Sequence, residues 1–596
     1  MKNLEKPVLK RDKKQNIRTL KRLYHYVKTY RLFLLTAIVL TVLSNLSTLA
    51  APKLVERCIQ RIESTLPKID LGGVLEIGIF MILFYLGTYV LSIFLSRTML
   101  KLGQHLGYDL RKAAFAKFDR LPVSYFDTHQ TGDTISRFTY DVDMISSSIG
   151  QTYVSFATSM ITLVGSFLMM ISQNIGLMAS FVITVPLSFF FASYVGTKTR
   201  VYNREKSKKT GELNGFVEDK ITGHKTVKVY SQQSHILAQF YQKNEAWGDA
   251  HYAAEAKGRG ILISGTQFIT QIATILIYLQ SAYLLYRGRI TLAEIASFVL
   301  YAKMFTEIVN ELSYLIADLQ TSLATADRVF DLIDEPEEKE DGADAVAVKV
   351  QDLTGQVSFR QVDFRYDSNR NILQDINIQV PPNSVVAIVG HTGAGKTTLI
   401  NLLMRFYHVQ QGGIYFDGMN IEDMKAKSLR KACAMVLQDT WLFHGSIFEN
   451  IAYGKVDATL EDVIAVAKAV SIHDYITSLP EGYHTILTED SVNISQGQKQ
   501  LLTIARAMLL DAKILILDEA TSNVDTLTEV TVQQSMMKLM RNKTTFVIAH
   551  RLSTIKNADF ILLFEKGKIQ ERGTHQELMN LNQQYTKLYN SQFEQS

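Results

Sequence analysis

Between positions 390 and 397 the sequence combines three glycines with a lysine and two threonines in the spacing of a phosphate-binding loop. Glycine lets the backbone curl until successive N–H groups point at one phosphate, and the following helix N-terminus adds partial positive charge. We expect Lys396 to reach the outer phosphates of ATP and Thr397 to offer a hydroxyl to Mg²⁺, with Thr398 in the same site. The run is Gly390, His391, Thr392, Gly393, Ala394, Gly395, Lys396 and Thr397.

Two adjacent carboxylates, Asp518 and Glu519, follow an aliphatic run at positions 514–517. Asp518 is placed to hold Mg²⁺ directly or through water, and Glu519 can accept a proton from the attacking water. The alternative is that both carboxylates merely cap the next helix. The aliphatic run before them and the glycine loop upstream favour a site that hydrolyses a terminal phosphate.

Both groups require buried strands to position them. Residues 384–389 are rich in Val and run directly into the glycine loop, which predicts a strand, a loop and a helix in succession. From Gly355 onward strands and helices alternate, as a parallel sheet flanked by helices requires. We therefore predict a linker over 336–352 and an α/β nucleotide-binding domain of the P-loop type over 353–596.

The composition indicates an oily half beside a water-soluble half, since hydrophobic residues make up 47% of the 596 positions. Two cysteines, Cys58 and Cys433, lie far apart and imply no disulfide framework or metal cluster. The formal net charge of +5 could suggest nucleic acid, but no RNA- or DNA-binding module is found in the sequence. We predict no nucleic-acid partner.

Residues 1–335 are predicted to form an α-helical membrane domain. Residues 32–51 carry no charge, and about 20 residues are enough to cross a bilayer. That run is too long and too far from the N-terminus for a secretory signal. No charge occurs between Asp143 and Lys198, so this stretch is expected to hold two spans. The six predicted spans are 32–51, 77–96, 144–172, 175–197, 261–286 and 292–319.

The distribution of Lys and Arg predicts the orientation of these spans. Eleven basic residues precede Leu32, seven lie within 97–143 and twelve within 198–259, whereas the first predicted outer loop has four. Basic residues are retained on the cytoplasmic side, so both termini and the nucleotide-binding domain are expected there. The N-terminal basic run could instead be a site for lipid headgroups.

The two long cytoplasmic loops show helical patterns, so the spans are expected to continue beyond the bilayer as rods. Each pair of rods could end in a short crosswise helix, with Ser124–Asp133 and Glu212–Gly223 as the candidates. The first candidate contains Tyr125, Phe126 and Asp127. A soluble loop is the alternative, although structureless loops of this length are uncommon in compact proteins.

These motifs together resemble an ATP-binding cassette, and the chain from about Leu20 to Tyr589 is similar to bacterial half-transporters of the ABC exporter family, which have the type IV fold. The resemblance implies that Tyr366 stacks on adenine, Gln438 touches Mg²⁺ and His550 contacts the terminal phosphate. It assigns Asp525 to the loop through which two nucleotide sites sense one another. It also implies a multi-pass protein of the bacterial plasma membrane.

The family signature, usually Leu-Ser-Gly-Gly-Gln, occupies positions 494–498 here. In ABC dimers it closes over ATP held by the other chain, so hydrolysis requires a second half-transporter. Gln496 stands where this signature usually has a glycine, and the segment before it, 488–493, also lacks a usual glycine. The combination resembles the catalytically intact subunit of heterodimeric multidrug exporters. A neutral change within a homodimer is the alternative. The residues in trans are Ser495, Gln496, Gly497 and Gln498.

Lys303, Glu307 and Glu311 recur at four-residue spacing and so share one face of the sixth predicted span. A charge at the bilayer centre costs about 2.5–3.5 kcal/mol, so these side chains are expected to face a substrate cavity or one another. A position below the bilayer is equally compatible. The resemblance implies export of amphipathic or hydrophobic compounds, drugs among them, with lipid flipping or peptide export by a homodimer as alternatives.

Overall fold

The structure is a computed structural model that describes residues 13–65, 70–342, 344–366, 371–438, 440–487, 494–518, 526–549 and 555–593. The chain divides into two compact units. The first holds the residues up to Asp119 and Thr131–Glu335, and the second holds Arg120–Gln130 and Pro336–Ser596. The first unit is helical and the second is mainly α/β, which confirms the predicted fold class.

Long helices dominate the first half of the chain. Three π-helical turns, Arg137–Asp141, Ser148–Thr152 and Ala253–Gly260, join neighbouring helices end to end. The helices are α1 (Lys13–Lys28), α2 (Arg31–Ser64), α3 (Leu71–Phe118), α4 (Val123–Thr128), α5 (Thr131–Ser136), α6 (Val142–Ser147), α7 (Tyr153–Gln173), α8 (Ala179–Thr222), α9 (His224–Val229), α10 (Gln233–Tyr252), α11 (Ile261–Tyr286) and α12 (Leu292–Asp334).

Among the described residues, five helices are long and apolar enough to cross a membrane. The sixth predicted span, 292–319, falls within α12, which is 43 residues long but carries Lys303, Glu307 and Glu311. Every predicted span lies in or largely overlaps a longer helix, so the elements extend past the apolar runs. The five helices are Arg31–Ser64, Leu71–Phe118, Thr131–Gln173, Ala179–Thr222 and Gln233–Tyr286.

The second predicted crosswise helix is wrong. Residues 212–222 continue the long helix α8, because nothing in them stops the helix before Gly223. The short helix is instead α9, which begins at His224 and is followed by Ser231 in a left-handed conformation, with φ of 52°. The first candidate also divides, since α4 ends at Thr128 and α5 begins at Thr131.

A stripe of leucines on α3 packs the first unit. Leu102, Leu106 and Leu110 are fully buried and form a cluster with Ala326 and Phe330 of α12. Their spacing of four residues puts them on one face of the helix. Burying each such side chain contributes about 1.5–3 kcal/mol, so this stripe holds α3 against α12.

A buried carboxylate links three helices of the first unit. Glu56 of α2 is 3% exposed and accepts hydrogen bonds from Gln173 Nε2 at 2.9 Å and Ser297 Oγ at 2.8 Å. Lys53 Nζ lies 2.5 Å from the same carboxyl group. A buried charge is tolerated only when it is paired and hydrogen-bonded, so Glu56 fixes α2, α7 and α12 to one another.

The second unit is built on two main sheets. Its strands are β1 (Val357–Phe364), β2 (Leu373–Val380), β3 (Val385–Gly390), β4 (Gln411–Phe416), β5 (Met419–Asn420), β6 (Cys433–Val436), β7 (Gly445–Ser446), β8 (Ile486–Leu487), β9 (Ile514–Asp518), β10 (Thr544–Ile548), β11 (Phe560–Glu565) and β12 (Lys568–Gly573). Besides α4, its described helices are Lys396–Leu403, Ala426–Lys431, Ile447–Ala452, Leu460–Ala469, His473–Ser478, Gln496–Leu510, Thr526–Met540, His575–Leu581 and Gln584–Phe593. Single 3₁₀ turns occur at Val350–Asp352 and Gly482–His484.

The larger sheet has the strand order β12-β11-β3-β10-β9-β6, in which β12 alone is antiparallel to its neighbour. Both faces are covered, because Val386 and Ile388 of β3 enter one hydrophobic cluster while Ala387 and Val389 enter the other. This explains the unbroken aliphatic runs in the sequence. The smaller sheet is antiparallel and has the order β2-β1-β4-β5.

The residues after α12 are fastened to the second unit. Arg405 is 3% exposed and pairs with Asp341, and Arg430 pairs with Glu338. The backbone N–H of Glu338 also donates to the carbonyl of Arg120 at 2.8 Å. The first part of the predicted linker therefore belongs to the folded surface of the second unit.

The two thiols are expected to differ in reactivity. Cys433 in β6 is buried, and burial raises the pKa of its thiol to about 12, whereas Cys58 in α2 is partly exposed. Because the thiolate is the nucleophile, a maleimide should modify Cys58 and spare Cys433 in the folded, detergent-solubilised chain. Intact-protein mass spectrometry measures this as one label before denaturation and two after it.

The variant Cys58→Ala is the control and should take up no label until it is denatured. Labelling of Cys433 in the folded chain at the rate of Cys58 would contradict the packing of β6. In intact cells, a membrane-impermeant maleimide should also reach Cys58, because the predicted orientation puts residues 52–76 outside. If Cys58 is labelled only after the cells are permeabilised, the predicted orientation is wrong.

Candidate nucleotide-binding site

The glycine loop follows β3 as the sequence predicts. Gly393 and Gly395 have φ of 80° and 105°, which side chains rarely adopt. A Cβ at Gly390 would lie 2.3 Å from the carbonyl oxygen of Phe564, and one at Gly395 would lie 2.7 Å from Leu373. The three glycines therefore allow a tight turn against neighbouring chain, directly before the helix that begins at Lys396.

Lys396 is buried within this loop, with 8% of its surface exposed. Its Nζ donates to the carbonyl oxygens of Gly390 at 2.6 Å and His391 at 3.1 Å. Burial lowers the pKa of Lys396, and the nearby Asp518 carboxylate opposes that shift. A buried ammonium group between curled backbone segments suits a polyphosphate, which supplies the anion that such a cation needs.

Parallel strand pairing brings three predicted groups to one edge of the sheet. In the register, Ile548 of β10 pairs with both Ile388 of β3 and Asp518 of β9. Val436 of β6 pairs with Leu517 next to them. The glycine loop, Asp518 and the segment leading to Gln438 thus leave neighbouring strands at their carboxyl ends, where open α/β sheets bind ligands.

Three predicted residues, Glu519, Asp525 and His550, lie outside the described residues. Of the predicted Mg²⁺ donors, Thr397 is exposed at the start of its helix and Asp518 ends β9. The described residues contain no group of three or more His, Cys, Asp or Glu side chains that could hold a metal. The available oxygen donors suit Mg²⁺, which takes few protein ligands and uses substrate phosphates and water for the rest.

Tyr366 stands beside the glycine loop with a half-exposed ring. Its hydroxyl donates to Thr398 Oγ1 at 3.1 Å. Phe364 and Tyr407 contact the ring edge-on, each with a centroid distance of 4.9 Å. These three contacts fix the ring and leave part of it open, as a platform for adenine requires.

Tyr407 extends this contact to α4. Its hydroxyl donates to the carboxylate of Asp127. Burial is the main cause that raises the pKa of Tyr407, and the hydrogen bond to Asp127 is the second. A connected path therefore runs from Thr398 through Tyr366 and Tyr407 to Asp127, wholly within the second unit. Sequence reasoning missed Tyr407, because a single tyrosine after a helix carries no pattern.

The signature residues begin a helix. Ser495 caps Gln496–Leu510 by accepting from Gln498 N at 3.3 Å, while Gln498 Oε1 accepts from Ser495 N at 2.9 Å. Ser495 and Gln496 are exposed and Gly497 is buried. Gln496 Nε2 also donates to Thr440 Oγ1 at 3.2 Å, two residues after Gln438. No pattern in the sequence indicates this bond to Thr440.

The charged residues of α12 are only partly brought together. Lys303 Nζ lies 3.9 Å from Glu307 Oε1, and these side chains are 72% and 67% exposed in the single chain. Glu311 instead accepts a long bond of 3.5 Å from Ser159 Oγ of α7. This face of α12 is polar and open in the isolated chain.

Comparison with known proteins agrees with these features. Residues 34–309 match the family described as ABC transporter transmembrane region, and residues 373–522 match the family described as ABC transporter. The ABC transporter ATP-binding protein YfiC of Bacillus subtilis is 35% identical over 97% of this chain and 94% of its own length. The fatty acid ABC transporter ATP-binding/permease protein of Mycobacterium bovis is 40% identical over 79% of this chain and 74% of its own.

Other relatives carry different substrate names. A putative multidrug export ATP-binding/permease protein of Bacillus subtilis is 36% identical over 81% of this chain and 83% of its own length. An ATP-dependent lipid A-core flippase of Legionella pneumophila is 33% identical over 85% of this chain and 84% of its own length.

The solved structure of a bacterial Atm1-family ABC exporter with ATP bound superimposes with a TM-score of 0.76 at 27% identity. The match covers 94% of this chain and 98% of that one. The helical membrane unit and the phosphate-binding second unit are thus found together in an ATP-binding exporter. The chain belongs to the ABC transporter family, as an exporter half-transporter whose ATPase is coupled to transport across a membrane.

Proposed function

We propose that this chain exports amphipathic or hydrophobic compounds, drugs among them, by alternating access as one member of a heterodimer. The observation that carries the ATP-driven part is the buried Lys396 within a glycine loop that follows β3. The same chain contains helices apolar enough to cross a bilayer. Its place is the bacterial plasma membrane, with both termini and the second unit in the cytoplasm.

Each residue of the proposed site has a separate role. Lys396 and the loop N–H groups hold the outer phosphates, and Tyr366 supports the adenine ring. Thr397, Gln438 and Asp518 would hold Mg²⁺, which neutralises phosphate charge during hydrolysis. Glu519 takes the proton from the attacking water, and His550 contacts the terminal phosphate, as their positions in the sequence motifs suggest.

The path from the adenine platform to α4 is proposed to couple ATP binding to the membrane unit. ATP can shift a conformational equilibrium only by binding one state more tightly than the other. A change at Tyr366 alters its edge contact with Tyr407, and Tyr407 is bonded to Asp127. The segment 120–130, which contains α4 and leads back into the membrane unit at Thr131, then responds to the occupied site.

A second half-transporter completes the catalytic site in this proposal. Ser495 and Gln496 are exposed at a helix N-terminus, where they can close over ATP held by another chain. Gln496 replaces the usual glycine, and its side chain is bonded to Thr440. This difference supports a heterodimer in which the partner's nucleotide meets an altered signature, with Asp525 at the contact between the two sites.

The substrate class is proposed from the membrane unit. Lys303, Glu307 and Glu311 lie along one helix, and a carboxylate there could pair with a cationic amphipath. A second candidate is lipid flipping by a homodimer, which the relatives named for fatty acid transport and lipid A-core flipping favour. Both candidates require an amphipathic substrate, so transport assays with drugs and with labelled lipids distinguish them.

Replacing Glu519 by Gln is expected to abolish transport and leave the complex with trapped ATP. Loss of a general base typically lowers a rate by about 10²–10⁴-fold, while the phosphate cradle is unchanged. Phosphate release and retained radiolabelled ATP measure the two effects in the purified complex. Glu461→Gln, at an exposed site, is the matched control, and undiminished turnover of Glu519→Gln would remove the assigned role.

Replacing Tyr407 by Phe is expected to uncouple substrate binding from ATP hydrolysis. The variant keeps the ring against Tyr366 but loses a bond to a carboxylate, which is worth about 1.5–3 kcal/mol. Substrate-stimulated ATPase should fall roughly tenfold, since about 1.4 kcal/mol is a factor of ten, while the KM for ATP changes less than about twofold. ATPase titrations in nanodiscs measure both quantities.

Tyr415→Phe removes a hydroxyl elsewhere on the second unit and should leave the stimulation unchanged. If Tyr407→Phe raises the KM for ATP without altering the stimulation, the hydroxyl only supports Tyr366 and the coupling path is wrong.

Purification of the tagged chain from its native host is expected to recover a second ABC half-transporter, identified by mass spectrometry. In that complex, Gln496→Gly should change the cooperativity of ATP hydrolysis with a modest loss of transport, since it removes the bond to Thr440. A homodimer with robust substrate-stimulated ATPase would refute the heterodimer. Unchanged cooperativity would show that the signature substitution is silent.

A further inference from the structure

The N-terminal helix α1 has three distinct faces. Thr19, Leu23 and Val27 are buried and recur every four residues, so one face packs on the bundle. Leu23 and Val27 belong to the same hydrophobic cluster as the leucine stripe of α3. The other two faces of α1 remain exposed in the first unit.

Polar contacts also hold α1 to the end of α12. Gln15 Nε2 donates to Asp327 at 2.9 Å, and both terminal nitrogens of Arg22 donate to Asp334. The Arg22 guanidinium also lies 4.2 Å from the centre of the Phe330 ring. The side chains on α1 therefore project from a fixed support, as a binding site requires.

One exposed face of α1 is basic. Lys14, Lys21 and Lys28 are spaced seven residues apart, as are Arg18 and His25, so they form a row along the helix. The 16 residues of α1 include no Asp or Glu. A shallow, open groove of about 400 Å³ lies along this row between side chains of α1 itself, lined by Lys14, Ile17, Arg18, Lys21, Arg22 and His25.

The third face is apolar and borders the basic row. Ile17, Leu20 and Tyr24 are 53%, 40% and 62% exposed. A two-residue turn then leads to α2, which begins at Arg31 and contains an apolar run long enough to cross a bilayer. This connection places α1 at the membrane surface, where an apolar face can enter the acyl boundary and basic side chains can meet headgroups.

We propose that the basic groove of α1 is a binding site for anionic phospholipid headgroups. A solvated charged helix or a topology signal accounts for basic residues alone. Neither accounts for an apolar face beside the row, or for a groove whose lining residue Arg22 is held in place by Asp334. The lipid phosphate is charge-complementary to the groove, while its acyl chains continue along Ile17, Leu20 and Tyr24.

The test compares bound lipids on the full-length chain by native mass spectrometry. The chain is exchanged into mixed micelles of detergent with equal phosphatidylglycerol and phosphatidylcholine, and the ratio of the two retained lipids is measured. The triple variant Lys14→Gln, Lys21→Gln, Lys28→Gln should lower that ratio more than tenfold. Each basic residue near an anionic surface strengthens binding to that surface on the order of fivefold. Gln has a helix propensity close to that of Lys, so α1 is preserved.

The matched control is Lys427→Gln, Lys468→Gln, Lys568→Gln, which removes three exposed charges from the second unit. It should retain the wild-type lipid ratio. An equal loss in this control, or no loss in the α1 variant, would overturn the proposal. Inorganic phosphate at about 10 mM, which exceeds a dissociation constant on the order of 1 mM, serves as a further arm.

If phosphate displaces the bound phosphatidylglycerol, the site takes free anions and the lipid proposal is wrong. Retention of the lipid supports a headgroup held together with its acyl chains. The readout requires no ATP hydrolysis, so its outcome is independent of the proposed export function and of the partner.

Discussion

A buried ammonium group, with the Asp518 carboxylate as a nearby counter-charge, is the constraint on which the second unit depends. Lys396 is withdrawn from solvent and rests on the carbonyl oxygens of its own loop. Carbonyl groups offset only part of the cost of removing a cation from water. A triphosphate offers full charge at that point, and therefore binds more strongly than it would to an exposed lysine. The sheet positions this loop at the carboxyl end of β3.

The parallel arrangement of β3, β10 and β9 gives this loop its neighbours. Strands that run in one direction end at one edge, so Asp518 arrives beside the loop although it is far away in sequence. The same edge leads toward Gln438 through β6. The common direction of the strands therefore brings the residues of the site together. Each sequence motif contributes the residues at the carboxyl end of its own strand.

The segment 120–130 is attached to the second unit at two points. Arg120 accepts a backbone bond from Glu338, whose carboxylate pairs with Arg430, and Asp127 accepts a bond from Tyr407. One attachment is a backbone bond before α4 and the other is a side-chain bond from within α4, and together they restrict both translation and rotation of this short helix. In the proposed coupling path, a movement of Tyr366 would reach Asp127 through Tyr407, in a segment that is attached at more than one point.

The sequence predicted those elements whose signals are local. Unbroken aliphatic runs marked the strands that are buried on both faces, and long uncharged runs marked five helices. The end of α8 was predicted wrongly, because a helix that leaves the bilayer has no local stop until Gly223. The bond between Tyr407 and Asp127 joins residues 280 positions apart, and Glu56 meets Ser297 across 241 positions. Such contacts follow from topology, which no spacing in a single sequence encodes.

The charges of α12 provide an energetic argument for a second chain. Lys303 and Glu307 are separated by 3.9 Å and largely exposed, so their pairing offsets little of the cost of leaving water. If these two charged side chains faced lipid at the bilayer centre, each charge would cost about 2.5–3.5 kcal/mol. That cost is avoided if this face of α12 borders a water-filled cavity closed on its far side by another membrane unit. The exposed signature residues of the second unit also need a second chain to cover them. Both halves of the chain are therefore incomplete for a related physical reason, because each presents polar groups that a second chain would enclose.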